Sequence, residues 1–482
     1  MGRIELTESP GKVLAGSGIP AMKYLGFALL LAWHYCLWFV PNVFVGTALL
    51  AEAVTYSWLI DLGASVLCLF LIPLLLGRRR YLSSHHWLYW AVPITASVGT
   101  LALTLFAFSL DTPLLAYILA AIVGGASAFF WILWGEFFAR IKANFSINHI
   151  GPVVGVTTVV LFTITIVLPQ PLASVFVSLL PLAAGFIFAM ANKANEQAPF
   201  PPLLPKSTTR KGVKTIIIVC IISFTASMAC YFLVAIIPWE ALPAADSSFT
   251  YGSMGGAFLM LIIGLICIVS KSKINIFGLF PWLLVFIVVA FALFLADEAL
   301  YFPSFIIALA VSSVFEVLLA MYFGILTSKG YAAPALAFGF SGGFIRAGIA
   351  FGNTWAIGYE HAPDLAAAIT PETALMFMCV LVAILIPLVR QGYNIAKLTT
   401  DPPSETDLEK RCAEVAGEFG LSARETEILV LIARGFTADN IAKKLVISPY
   451  TVNTHIRHTY EKMAIHKRSE LINYITMQNT EN

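Results

Sequence analysis

Residues 421–472 read LSARETEILVLIARGFTADNIAKKLVISPYTVNTHIRHTYEKMAIHKRSELI. Leu421, Ser422 and, three positions on, Glu425 set an apolar residue, a hydroxyl and a carboxylate where they satisfy the orphan N–H groups of a starting helix. Ile428, Leu429 and Ile432 recur at helical spacing, and Gly435 supplies the left-handed residue that ends the helix. Thr437 caps a second helix of about two turns, with Ile441, Ala442 and Leu445 on one face. Val446 and Ile447 make a short apolar turn, after which Ser448 as N-cap and Pro449 at the first helical position start a third helix. Short helix, tight turn, longer helix is the helix-turn-helix order. In the third helix Val452, Ile456 and Met463 face inward, which leaves Tyr450, Asn453, Thr454, Arg457 and Lys462 for a partner. Such side chains suit phosphates and base edges.

The segment resembles the LuxR-type (NarL/FixJ-type) C-terminal DNA-binding domain: LSARETEIL is similar to the opening helix, NIAKKLVIS to the scaffold helix, TVNTHI to the recognition helix and YEKMAIHKRSEL to the closing segment. The resemblance covers about the last sixth of the chain. It implies that the third helix enters the major groove of double-stranded promoter DNA. Asn453, Thr454 and Arg457 would then approach bases, while Tyr450, Thr451 and Lys462 would hold phosphates. Glu425 and Arg468 would form the internal ion pair, and a final helix around Leu471 and Ile475 would mediate a homodimer. Two residues depart from the pattern. Asn453 stands where the family usually has Lys, exchanging a charge for an amide suited to adenine, and Thr459 occupies a usually aliphatic site. From 401 to 482 there are ten Lys or Arg and twelve Asp or Glu, so this is not a basic tail. The basic groups are focused instead: Lys443, Lys444, Arg457, Lys462, Lys467 and Arg468 lie between 437 and 475, against Asp439, Glu461 and Glu470. Binding is expected to be moderate and salt-sensitive.

The rest of the chain is of another kind. Of 482 residues 59% are hydrophobic and 12% charged, and the mean hydropathy is +0.85, outside the range of soluble globular proteins. Twelve apolar stretches are long enough to span about 30 Å of hydrocarbon: 22–44, 55–76, 87–108, 114–135, 151–169, 172–191, 213–237, 251–270, 276–296, 300–325, 335–357 and 373–390. The fold class is therefore all-α, a polytopic membrane bundle followed by a small four-helix reader. No cleavable signal peptide is expected, because no small-residue cleavage site follows the first apolar run.

Loop charge gives the orientation. Arg78 to Arg80, Arg140 and Lys142, Lys193 through Lys214, Lys271 and Lys273, and Lys329 lie on alternate loops, with Arg3, Lys12 and Lys23 ahead of the first helix. The positive-inside rule makes these cytoplasmic. The intervening loops carry Glu52, Asp111, Glu240, Asp246, Asp297, Glu298, Glu360, Asp364 and Glu372, with no Lys or Arg. An even number of spans then returns residue 391 onward to the cytoplasm, where DNA is. The Pro-rich, basic loop 192–212 splits the spans six and six, and the architecture resembles the two halves of a major facilitator transporter. That family's acidic-basic-glycine signature between the second and third helices is not recognisable in LLLGRRRYL. The expected organisation is a cytoplasmic N-terminal segment 1–21, membrane halves 22–191 and 213–390 around the central loop, a linker 391–417 and the reader 418–482.

Ionisable residues inside spans are costly and mark function or pairing. Arg346 lies about eleven residues into helix 11 and Glu316 about ten from the cytoplasmic end of helix 10, so at about 1.5 Å per residue both sit near mid-bilayer. Two readings stay open: an internal Arg346–Glu316 pair, and an Arg346 that meets an anionic group of a small-molecule ligand. Asp61, Trp33, His34, Trp131 and Tyr231, with Trp134 and Trp355, are further pocket candidates. Gly339 and Gly343, then Gly348 and Gly352, recur every fourth residue as close helix packing requires. The seven cysteines include no pair at metal-site spacing. No phosphate loop, catalytic triad or receiver domain is recognisable, so neither a cofactor, a metal nor an enzymatic activity is expected. The sequence thus points to a multi-pass regulator of the bacterial inner membrane that senses a small molecule and reads promoter DNA. The alternative is a transporter with an attached regulatory domain.

Overall fold

A computed structural model describes residues 22–45, 51–77, 81–106, 113–141, 147–195, 203, 206–242, 248–269, 279–360, 370–386, 388, 405–433, 436, 438–465, 467, 470–471 and 474–475. The chain divides into two compact units, Met1–Thr399 and Thr400–Asn482. The helices of the first are α1 Met22–Phe39, α2 Ala51–Leu76, α3 Leu88–Leu105, α4 Leu114–Arg140, α5 Ile147–Val167 and α6 Leu172–Ala194. They are followed by α7 Lys206–Ile236, α8 Ser248–Val269, α9 Leu279–Ala296, α10 Tyr301–Ser328 and α11 Pro334–Glu360, then α12 Thr370–Ile386. Among the described residues ten helices are long and apolar enough to cross a membrane, and two apolar helices, Tyr24–Phe39 and Thr370–Ile386, are shorter. The first expected stretch, 22–44, is helical only to Phe39 and then turns through a 3-10 segment at Pro41–Val43. Pro41 forces the break: its ring disfavours helical backbone at Val40, which sits extended at φ −115°, ψ 108°.

The outer surface of this unit is apolar. Leu75, Val98, Trp282 and Phe351 are all well exposed, an arrangement that hydrocarbon accommodates and water does not. Inward, the six-helix halves repeat each other's packing. α1 packs on α5 as α7 packs on α11, α2 on α4 as α8 on α10, and α3 on α4 as α9 on α10. The α3–α6 pairing is matched by Phe291 of α9 stacked against Phe377 of α12, and the α1–α6 pairing by Phe232 of α7 against the same ring. Across the halves, α5 meets α8 and α11 meets α2, which are the same contact once each helix number is advanced by six. A doubled six-helix unit follows from these pairings.

α11 packs closely against two neighbours, and glycine is the reason. A side chain at Gly348 or Gly352 would run into the Phe224 and Met228 backbone of α7, and one at Gly339 or Gly343 into Leu69, Phe70 and Pro73 of α2. The two four-residue repeats are two small-residue faces that let α11 approach both halves at once.

The second unit has its own core. α13 Glu405–Glu418, α14 Ala423–Ala433, α15 Ala438–Leu445 and α16 Pro449–Met463 bury Cys412, Val415, Ile428, Leu429, Ile432, Ile441, Val452 and Met463 together. The expected linker 391–417 therefore ends in a helix that belongs to the reader: Cys412 and Val415 of α13 are fully buried in its core, and Phe419 packs edge-on against Tyr474. α13 is amphipathic, and the reader's apolar face is what covers its apolar stripe.

Candidate functional site

The reader's caps form as the sequence requires. Ser422 N–H donates to Glu425 Oε2 at 2.7 Å and Glu425 N–H donates back to Ser422 Oγ at 3.3 Å, the reciprocal capping box that starts α14. Ser448 Oγ accepts from Thr451 N–H at 3.0 Å and Pro449 opens α16. Val446, in the turn between α15 and α16, lies at φ 53° and is nearly fully exposed. A β-branched residue is disfavoured in that left-handed conformation. The cap expectations at Gly435 and Thr437 fall outside the described residues.

On α16, Val452, Thr459 and Met463 are buried, while Tyr450, Asn453 and Arg457 step by three and four along the exposed side. Thr454 is half-buried and its hydroxyl donates to the Tyr450 carbonyl at 3.0 Å. Thr451 hydroxyl lies 2.7 Å from Ser448 Oγ and so completes the cap. Arg457 is exposed, with Glu461 3.8 Å from its Nε, a loose pair worth little in water. The polar Thr459 costs the core little, because its hydroxyl donates to the His455 carbonyl at 2.9 Å.

The expected roles of Lys462, Arg468, Leu471 and Ile475 meet the following geometry. Lys462 Nζ lies 2.7 Å from Glu425 Oε2 and 3.2 Å from the Gly420 carbonyl, tying the end of α16 to the start of α14. Lys462 is thus an observed partner of Glu425; Arg468, expected in that place, lies outside the described residues. The Lys462 ammonium, with the Ser422 N–H, holds the Glu425 carboxyl at about 2. Leu471 and Ile475 are buried in the reader's own core. Their apolar surface is spent on folding the protomer, so neither offers a face to a second copy.

In the bundle, six helices bring a polar cluster together: His34 and Tyr35 from α1, Asp61 from α2, Trp131 from α4, Tyr231 from α7, Glu316 from α10 and Arg346 from α11. Arg346 is buried, with its guanidinium 5.2 Å above the Trp131 ring. The Trp131 indole N–H donates to the Phe338 carbonyl at 3.0 Å, which fixes the ring. The expected Arg346–Glu316 ion pair is absent among the described residues. Glu316 instead accepts the Tyr35 hydroxyl at 2.5 Å, and Arg346 Nη1 has no hydrogen-bond partner. Asp61 is fully buried with neither oxygen hydrogen-bonded, and His34 Nε2 stands 3.7 Å from it, beyond hydrogen-bond reach. Trp33 turns away: its indole N–H donates to Thr100 on α3 at 3.1 Å. Trp134 packs among Phe137, Phe138 and Phe188, and Trp355 against Phe232 and Phe377.

Two residues that sequence reasoning missed matter here. Tyr35 takes the carboxylate expected for Arg346, a pairing across 281 positions that no local spacing announces. Glu136, buried at the end of α4, accepts the N–H groups of Leu82 and Ser83 at 2.9 and 2.8 Å and so holds the turn between α2 and α3. An acidic residue near a basic loop was the available signal.

Residues 420–475 match the family model GerE, bacterial regulatory proteins of the luxR family. The C-terminal unit is a LuxR-type helix-turn-helix DNA-binding domain carried on a multi-pass helical membrane bundle. Relatives of the reader include the oxygen regulatory protein NreC of Staphylococcus epidermidis, 36% identical over 88 residues, which is 17% of this chain and 40% of the relative. NreC of Staphylococcus aureus is 37% identical over 87 residues, again 17% of this chain and 40% of the relative. The chain thus spans well under half the length of these relatives. Among solved structures, the peptide transporter POT superposes with a TM-score of 0.47 at 12% identity, over 82% of this chain and all of that one. FucP, a Major Facilitator Superfamily transporter in the outward conformation, gives 0.44 at 13%, over 77% and 99%.

Proposed function

We propose that this protein is a one-component transcription regulator of the bacterial inner membrane, in which the helical bundle receives a small molecule and the LuxR-type reader binds promoter DNA. The observation that carries the reading is the coexistence, in one chain, of a capped recognition helix with an exposed Tyr450–Asn453–Arg457 stripe and a buried cluster in which Asp61 and Arg346 Nη1 lack hydrogen-bond partners. Loop charge supports a cytoplasmic N-terminus and reader. The mechanism is a population shift: ligand binds one packing of the two six-helix halves better than the other, and the reader's occupancy of DNA follows. A homodimer, which a reader of modest charge would need for tight binding, uses surface other than Leu471 and Ile475. The test is a genome-wide transcript comparison of wild-type and Arg457→Ala cells across a panel of small molecules. A compact gene set that loses its response to one compound is expected. A response that survives unchanged in Arg346→Ala cells would contradict sensing by the cluster.

A second reading, a transporter carrying its own regulatory domain, is favoured by the doubled six-helix packing. Uptake of a labelled substrate into vesicles that depends on Asp61 or Glu316 would establish it.

A further inference from the structure

The buried cluster holds two carboxyl groups, Asp61 and Glu316, against one guanidinium, and that decides which ligands it accepts. Arg346 contributes the positive charge, and Asp61 and Glu316 both lie close enough to act on the guanidinium electrostatically. His34 adds none, because its Nδ1 is buried without a partner, and a protonated imidazole needs both ring N–H groups satisfied. Glu316 is held by the Tyr35 hydroxyl. Asp61 is held by nothing: it is fully buried, both oxygens are unpaired, and the nearest cationic candidate is 3.7 Å away. A fully buried carboxyl without a partner keeps its proton, because the bare carboxylate is costly there, and a cation that meets it takes that proton's place. The group that remains open on the basic side is one N–H edge of Arg346, at Nη1, which a neutral oxygen satisfies. The same cluster carries aromatic rings, Tyr231 against Trp58 at 5.7 Å and Tyr35 stacked on Phe39 at 5.9 Å, and aromatic faces attract cations.

We infer that the cluster takes an organic monocation, a protonated amine seated against Asp61 and carrying an oxygen that accepts from Arg346 Nη1. This reverses the sequence-based expectation of an anion on Arg346. A monocation seated in place of the Asp61 proton leaves the site neutral, whereas an anion leaves it with one uncompensated negative charge. The inference deepens the sensing reading and rests on it for the consequence in transcription, though not for binding itself.

The test uses the full chain in lipid nanodiscs. All ten tryptophans lie at or before residue 355, so tryptophan fluorescence reports on the bundle and not on the reader. The probes are primary amines paired with carboxylates of the same shape, tyramine against phloretate among them. Saturable quenching by an amine is expected, with its carboxylate counterpart at least tenfold weaker. Asp61→Asn is expected to weaken the amine at least tenfold; Glu316→Gln, which removes the second negative charge, serves if the first variant does not elute as a single folded species. Equal or tighter binding of the carboxylates, no saturable binding by any amine, or wild-type amine affinity in the folded variants would each overturn the inference. An anionic inducer of the transcript response would sink this inference and leave sensing intact. Amine binding without any transcript response would do the reverse.

Discussion

Glu425 shows how one residue serves both helix and tertiary structure. Its carboxylate closes the capping box on Ser422 and takes the ammonium of Lys462 from the far end of α16. Because its pKa is depressed to about 2, below the usual carboxylate value near 4.3, the stabilisation is present above that value and lost as pH falls toward 2. Lys462→Met should raise the pH at which the reader segment becomes protease-sensitive in the full chain, and cost on the order of 1 kcal/mol at neutral pH. Unchanged acid sensitivity would show that the pair does not hold the reader. Arg457, by contrast, is exposed with only a loose neighbour. Arg457→Ala should weaken promoter binding about tenfold and flatten its salt dependence by about one unit of slope, measured by fluorescence anisotropy on the full chain. At this scale the sequence revealed both caps, since Ser422 and Glu425 lie three positions apart and Ser448 and Pro449 are adjacent. The Lys462–Glu425 and Tyr35–Glu316 partnerships span 37 and 281 positions. They depend on which helices become neighbours, and local pattern carries no such information.

At the scale of the element, α11 tests the packing account. Gly352→Leu would thrust a side chain into the Met228 backbone of α7, whereas at Gly63 nothing lies within 4 Å of an added Cβ. Backbone cannot swing aside as a side chain does, so overpacking here should cost at least about 1–3 kcal/mol. Size-exclusion profiles in detergent should show Gly352→Leu aggregated or absent and Gly63→Ala like wild type. A monodisperse Gly352→Leu would mean that α7 and α11 are not held this closely. The glycine repeat was legible, as were the apolar stretches that became helices, because hydrocarbon length and small-residue spacing are local properties. The break at Pro41 and the enrolment of α13 in the reader were less so. The fourteen-residue amphipathic segment Glu405–Glu418 reads equally as linker or as domain until its apolar face finds Ile428 and Leu429.

For the molecule as a whole, the claim is that one chain couples a buried charge cluster to a DNA-reading helix. Both halves of that claim rest on groups whose neighbours differ from simple expectation. The cluster sets two carboxyl groups against one guanidinium and is incompletely paired, and the recognition face is narrower than its charge run suggests because Lys462 is tied to Glu425. Depth in the membrane placed Glu316 and Arg346 near one another in the reading of the sequence, with Asp61 a further pocket candidate. Which pairs form was decided by six helices meeting in three dimensions.

The most direct test is promoter occupancy by the membrane-retained, full-length protein, measured by chromatin immunoprecipitation with and without the inducing compound in wild-type, Arg346→Ala and Arg457→Ala cells. The account predicts a small set of promoters whose occupancy changes with the compound in wild type, does not change in Arg346→Ala, and is lost in Arg457→Ala. Occupancy that responds equally in wild type and Arg346→Ala, or that persists in Arg457→Ala, would contradict it.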